Sequence, residues 1–159
     1  MSIIAARIDD RLVHGQVVIG WGRPLEIGRI VLVDSDVAAS AFEQDLYRMA
    51  VPAGIEVEFL PAESAAERVG QLADSSERVL ILTGTVRGMI ALAREAPSKI
   101  RSINLGGIHD GPSRREYLRY VYLTAAELQD LRDLAAAGIR ITAQDLPTAA
   151  PVDLEVLAR

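Results

Sequence analysis

Apolar residues recur along this chain at two alternating spacings. Short apolar runs occupy residues 2–8, 29–34, 54–60, 78–83, 101–105, 118–123 and 138–143, and each reads as a strand. Between them the apolar positions move to helical spacing. Residues 36–50 bring Phe42, Leu46, Met49 and Ala50 to one face, and residues 62–73 do the same with Ala65, Val69 and Leu72. Residues 86–96 use Val86, Met89, Ile90 and Ala93, and residues 125–137 use Leu128, Leu131 and Ala135. Each pattern predicts a one-sided helix packing its apolar face inward.

The boundaries carry their own signals. Thr124 with Glu127, and Ser64 with Glu67, fit capping boxes at helix starts. Pro52 and Gly54 close the 36–50 helix, and Gly138 stands where a left-handed C-cap residue belongs. Alternating strand and helix predicts an α/β fold: an open, doubly wound, mostly parallel sheet of about six to seven strands with helices on both faces. The run from Val79 to Leu82 is apolar on both sides, which predicts a central strand. Ile55, Val57 and Phe59 alternate with glutamates, and Ile139 and Ile141 alternate likewise, so both segments belong near an edge. Residues 106–117 are rich in Gly, Pro and charge and read as a loop or hairpin; residues 152–157 carry a short helical pattern.

Composition then narrows the chemistry. A chain of 159 residues, 50% hydrophobic and 25% charged, reads as one globular domain over residues 1–159 rather than as a disordered segment. There is no cysteine, and the only histidines are His14 and His109. Thiolate sites, disulfides and multi-histidine metal clusters are thereby excluded. The net charge of −5 argues against a nucleic-acid partner. No basic start with a long apolar stretch follows Met1, and no run reaches the roughly 18 apolar residues of a membrane span. The expectation is a cytoplasmic protein that does not insert into the membrane.

One packet of polar chemistry stands out. Ligands of open α/β sheets bind at the carboxyl ends of strands, and the segment after the first strand holds Asp9, Asp10, Arg11, His14, Gly15 and Gln16. A helix beginning near Gly15 would put His14 at its positive end, where anions are favoured. Arg11 can fork onto phosphate oxygens, and a neutral imidazole is a nucleophile. Residues 1–29 hold Arg7, Arg11, Arg23 and Arg29 against Asp9, Asp10 and Glu26, a positive start to an acidic chain. The plainer reading has His14 as a hydrogen-bonded loop residue, the aspartates as turn formers and Arg11 as a surface ion pair. Thr83, Gly84 and Thr85 follow the central strand and offer hydroxyls and a close-approach glycine to the same crevice, or make an ordinary strand-to-helix turn. His109 lies in a glycine-rich turn with no partner to be placed. Neither a Gly-x-Gly-x-x-Gly fingerprint nor a Gly-Lys-Ser/Thr loop is present.

The segment Arg7 to Val17, Arg-Ile-Asp-Asp-Arg-Leu-Val-His-Gly-Gln-Val, resembles the signature of the IIB component of the mannose/fructose/sorbose family of the bacterial sugar phosphotransferase system. One Ile/Val exchange separates the two. Trp21, Val33 to Val37, Ala50 to Gly54, and Asn104 to Gly107 also resemble family segments, so the likeness spans essentially the whole chain.

The resemblance implies that His14 accepts a phosphoryl group, on Nδ1, from a phosphohistidine of a separate IIA component. It implies that the group then passes to a sugar entering through membrane IIC and IID components. Arg11 would bind the phosphoryl oxygens, and Asp9 and Asp10 would orient Arg11 or the imidazole. No metal, nucleotide or other cofactor is implied. His109 and residues 108–115 match no family site. Two other readings keep the fold: a regulatory phosphoprotein not coupled to transport, and a nucleotide-binding doubly wound module.

Overall fold

The computed structural model describes residues 2–159, with the side chain of Gln16 left aside. The chain opens with β1 (Ile3–Ile8), then a π-helix (Gln16–Gly22), β2 (Arg29–Val33), α1 (Ser35–Ala38), α2 (Ala41–Met49) and β3 (Glu56–Leu60). It continues through α3 (Ala62–Ala73), β4 (Val79–Thr83), α4 (Val86–Glu95) and β5 (Ser102–Leu105). A hairpin of β6 (Arg115–Leu118) and β7 (Val121–Leu123) follows. Then come α5 (Ala125–Ala136), β8 (Arg140–Ala143), β9 (Val152–Asp153) and α6 (Leu154–Leu157).

Seven strands form one sheet in the order β3-β2-β4-β1-β5-β8-β9. All neighbours are parallel except β8 and β9. The expected α/β sheet with helices on both faces is the observed one. β4 is buried along its whole length between β1 and β2, and β3 and β9 are the edge strands. Strand alternation divides the core in two. Val79 and Ile81 turn towards α3, α4 and α5, where Val69, Leu72, Met89, Ile90 and Leu131 meet them. Leu80 and Leu82 turn the other way, towards Val13, Val17, Val18 and Trp21 of the first loop and the π-helix. Glu58 on β3 is paired to Arg29 and Arg68, and such charges discourage edge-to-edge association.

Five expectations need correction. The 36–50 helix breaks into α1 and α2, because Ser40 leaves helical geometry and caps α2 through a bond from Glu43 N–H. Its apolar stripe does not face the core: Phe42, Leu46 and Met49 are exposed at 73%, 51% and 82%. Helical spacing shows that a face is apolar but not what covers it. Ser64 does not cap α3, which starts at Ala62 after Pro61; proline at that boundary fits because its fixed φ suits a helix entrance. Thr124 does cap α5 as expected. The 118–123 run is not a strand of the main sheet. It turns back at residues 119–120, and the hairpin includes part of the polar 106–117 segment. The 152–157 pattern gives two residues of strand before a single helical turn.

Burial sets the energetic ranking of these faces. Leu131→Ala should destabilise by about 2–5 kcal/mol in urea unfolding, as a truncated core leucine does. Met49→Ser should stay within about 0.5 kcal/mol, as exposed substitutions do. A comparable loss in both variants would place the α2 stripe in the core.

Candidate functional site

The loops after β1, β4 and β5 meet because β1 lies between the other two strands. Asp9 N–H donates to Thr83 O at 2.9 Å on one side, and Asp10 N–H donates to Gly107 O at 2.8 Å on the other. The ladder therefore continues past the end of β1 and fixes the two aspartate backbones before their side chains do anything. Leu12 follows with φ +60°, a left-handed conformation unfavourable for a branched side chain. Its side chain lies against Gly84, where an added Cβ would stand 2.7 Å from Leu12 Cδ2.

Asp9 organises the centre. Its side chain is fully buried. Arg11 donates to it twice, from Nε to Oδ1 at 3.0 Å and from Nη2 to Oδ2 at 2.9 Å. Arg11 backbone N–H adds a third bond at 3.2 Å. Arg7 Nη2 donates to Oδ2 at 3.1 Å, and His14 Nε2 lies 3.5 Å from the same oxygen. Burial alone would push the carboxyl pKa up. The hydrogen bonds from His14 and Arg11 and the charges of Arg7 and Arg11 outweigh it and hold the pKa well below the ordinary carboxylate range. The same bond to Asp9 raises the pKa of Arg11 against a smaller desolvation effect.

Arg7 is the group that the sequence reading passed over. It points from β1 to the face opposite Ala6 and Ile8 and is completely buried. Its guanidinium stacks on Trp21, 4.7 Å from the ring centroid. Nη1 donates to Asn104 Oδ1 and, at 2.8 Å, to Gln144 O, while Nη2 also reaches Asp145 O at 3.2 Å. Burial lowers its pKa, and the neighbouring Asp9 partly restores it. Trp21 Nε1 donates to Asp145 O at 3.0 Å, which closes the ring of contacts. A signal was present in the sequence: an arginine inside an apolar strand needs a buried counter-charge, and Asp9 is two residues away, on the same face. Gly106 and Gly107 make room. A Cβ on Gly106 would collide with the Arg7 guanidinium, and one on Gly107 would stand 3.1 Å from Arg11 Nε.

The other candidates are distributed as follows. Asp10 faces away from this centre: its Oδ2 accepts His109 N–H at 2.7 Å and its Oδ1 lies 2.6 Å from His109 Nδ1. His109 thus has a partner that the sequence did not reveal, because the two lie 99 residues apart. Gly15 precedes the π-helix with no side-chain cap. The expected helix is a seven-residue π-helix, and the buried Val17, Val18 and Trp21 hold it to the sheet. Gln16 begins it, but its side chain lies outside the described residues. Thr83 Oγ1 donates to Thr85 O at 3.0 Å, and Thr85 Oγ1 accepts Gly88 N–H at 3.0 Å as the cap of α4. Thr85 and Gly84 line a separate cavity of about 440 Å³ with Asp34, Glu63 and Glu95. Among the described residues, no helix is long and apolar enough to cross a membrane.

Comparison with known proteins identifies the family. The family model described as "PTS system sorbose subfamily IIB component" matches residues 3–159. An N-acetylgalactosamine-specific phosphotransferase enzyme IIB component of Escherichia coli is 27% identical over 153 residues, 96% of each chain. The sorbose-specific EIIB component of Klebsiella pneumoniae is 29% identical over 141 residues, 89% of this chain and 85% of that one. Among solved structures, the IIB domain of the Klebsiella pneumoniae sorbose permease superposes with a TM-score of 0.88 at 27% identity, covering 99% of this chain and 97% of that one. The match over residues 3–159, on this fold, places the chain in the sorbose subfamily of phosphotransferase-system IIB components, phosphotransferases that accept a phosphoryl group from IIA and transfer it to sugar.

Proposed function

We propose that His14 is the phosphoryl-accepting residue and that Asp9 prepares it. One observation carries this reading: His14 Nε2 lies 3.5 Å from a buried carboxylate that two guanidiniums keep ionised. An anionic acceptor on that side favours the tautomer with the proton on Nε2, which puts the lone pair on Nδ1. Nδ1 then attacks phosphorus of the donor phosphohistidine. The donor P–N bond breaks, and its electron pair stays on the donor ring. The product ring on His14 is a phosphorylated imidazolium, and the Asp9 charge stabilises it. Positioning and charge supply the catalysis.

Arg11 has two edges. The Nε and Nη2 edge is fixed on Asp9, and the outer edge meets the phosphoryl oxygens. Arg7, buried behind Asp9, steadies the carboxylate without touching the phosphoryl group. Gly15 and Gln16 carry the chain from the site into the π-helix. Thr83 holds the Asp9 backbone, Gly84 packs against Leu12, and Thr85 caps α4. A IIA component is the donor, and membrane IIC and IID components present the sugar to this carrier in the cytoplasm. The enzyme class is a protein-phosphohistidine–sugar phosphotransferase.

Incubation with phosphorylated IIA should give an acid-labile, alkali-stable label on His14 that is absent from His14→Ala. Full labelling of that variant would place the acceptor elsewhere. Arg11→Lys should slow transfer at least tenfold in rapid-quench measurements, because one ammonium cannot replace a fork with two edges; an unchanged rate would make Arg11 purely structural. Asp9→Asn should destabilise by about 3–5 kcal/mol, since it leaves Arg7 buried without its counter-charge. The sign of the pH dependence follows from the lowered pKa of Asp9. Its contribution is fully present above the unfolded-state value near about 4 and is lost as pH falls towards the folded-state value. Acid unfolding curves of Asp9→Asn should lack that part of the slope.

A further inference from the structure

We infer that Asp10 and His109 form a general-base pair that serves the second half of the reaction, transfer of the phosphoryl group from His14 to the sugar hydroxyl. This rests on the phosphocarrier reading of His14.

The geometry is specific. Both oxygens of Asp10 are taken by one residue: Oδ2 by His109 N–H at 2.7 Å and Oδ1 by the Nδ1 edge of its ring at 2.6 Å. The next carbonyl is held as well, since Arg114 Nη1 donates to His109 O at 2.8 Å while its Nη2 reaches Glu127. One residue earlier, Ile108 is bonded to the hairpin on both sides, donating to Tyr120 O and accepting Tyr122 N–H. The backbone around His109 is therefore fixed, yet its side chain is 70% exposed. Turn formation alone accounts for the glycines of this loop, but not for an oriented imidazole at its tip.

The orientation has a chemical consequence. With Nδ1–H donated to Asp10, the lone pair of a neutral ring lies on Nε2. This is the arrangement in which a carboxylate selects the tautomer of a histidine base. His109 and Arg11 line the same cavity of about 180 Å³, together with Arg119, Tyr120, Tyr122 and Asp145. Arg11 is also bonded to Asp9, beside His14. Arg11 therefore borders both the cavity of His109 and the Asp9 centre that holds His14.

The two half-reactions differ in their need for a base. Transfer from a donor phosphohistidine to His14 exchanges one ring nitrogen for another, and no hydroxyl proton has to leave. Transfer to a sugar does require that. As the hydroxyl oxygen attacks phosphorus, its proton moves to His109 Nε2. The P–N bond to His14 breaks, and its electron pair returns to the His14 ring nitrogen. The sugar leaves as a phosphate ester, and the His109 imidazolium later gives its proton to water.

The test separates the two steps on the same protein. Glutamine at position 109 keeps an amide donor for Asp10 but has no base. His109→Gln should be labelled by phosphorylated IIA within about twofold of the wild-type rate. When the labelled protein is mixed with membranes containing IIC, IID and sugar, loss of the label should slow about 100-fold. Asp10→Asn should lie between the two. Equal slowing of both steps would make His109 a loop-positioning residue, and unchanged discharge to sugar would remove it from the chemistry; either outcome overturns the proposal. Failure of the wild-type protein to take the label on His14 would instead overturn the phosphocarrier reading beneath it.

Discussion

Everything around the site depends on one buried carboxylate. Asp9 sits at the end of β1 with no solvent exposure, where an isolated charge would not be tolerated. Arg7 makes the burial possible from behind, and Arg11 from the side. Removing Asp9 leaves the Arg7 charge stranded in a low-dielectric environment, whereas Asp9 deprived of either arginine keeps the other as a cationic partner. The group that satisfies the electrostatics also fixes the loop, because Arg11 bonds Asp9 through its backbone as well as its side chain. Leu12 can then be held at positive φ. Strain of this kind persists only where the surroundings over-determine the conformation, and here the ion cluster and the contact with Gly84 do so.

The placement of that carboxylate follows from topology. β1 is the middle strand of the seven, so its carboxyl end is flanked by the turns after β4 and β5. Thr83 receives Asp9 N–H and Gly107 receives Asp10 N–H. Consecutive residues of an extended chain point to opposite sides, and these two aspartates accordingly take different partners. Asp9 turns to Arg7, Arg11 and His14. Asp10 turns to His109. Two adjacent acids thus build two distinct imidazole environments.

Much of this was legible in the sequence, for reasons that can be stated. The parallel sheet followed from runs such as Val79 to Leu82, whose apolar character on both faces leaves no other place for them. Helices α3, α4 and α5 were legible because their buried residues recur at helical spacing and are covered by the sheet. α2 was misjudged because its stripe of Phe42, Leu46 and Met49 has the same spacing but faces solvent. Periodicity reports the shape of a face and is silent about its neighbour. The pairing of Asp10 with His109 was invisible for a different reason: a contact between residues 99 positions apart is set by how β1 and β5 align, not by any local pattern. Arg7 was visible but unread, since an arginine inside an apolar strand already implies a buried ion pair.

The two histidines illustrate how a shared residue type is differentiated by its surroundings. His14 presents Nε2 to Asp9 at 3.5 Å, whereas His109 presents Nδ1 to Asp10 at 2.6 Å. Opposite ring nitrogens face the two carboxylates, and the proposed tautomers put the lone pairs on opposite nitrogens: Nδ1 in His14 and Nε2 in His109. Nδ1 lies close to its own backbone, on a loop fixed by Asp9, which suits the proposed role of holding a transferring group at a defined position. Nε2 is the distal nitrogen, on a 70% exposed ring, which suits the proposed role of meeting a hydroxyl brought by another protein. The difference arises from the opposite sides to which two adjacent carboxylates at the end of β1 point, and from the turns after β4 and β5 that flank them there.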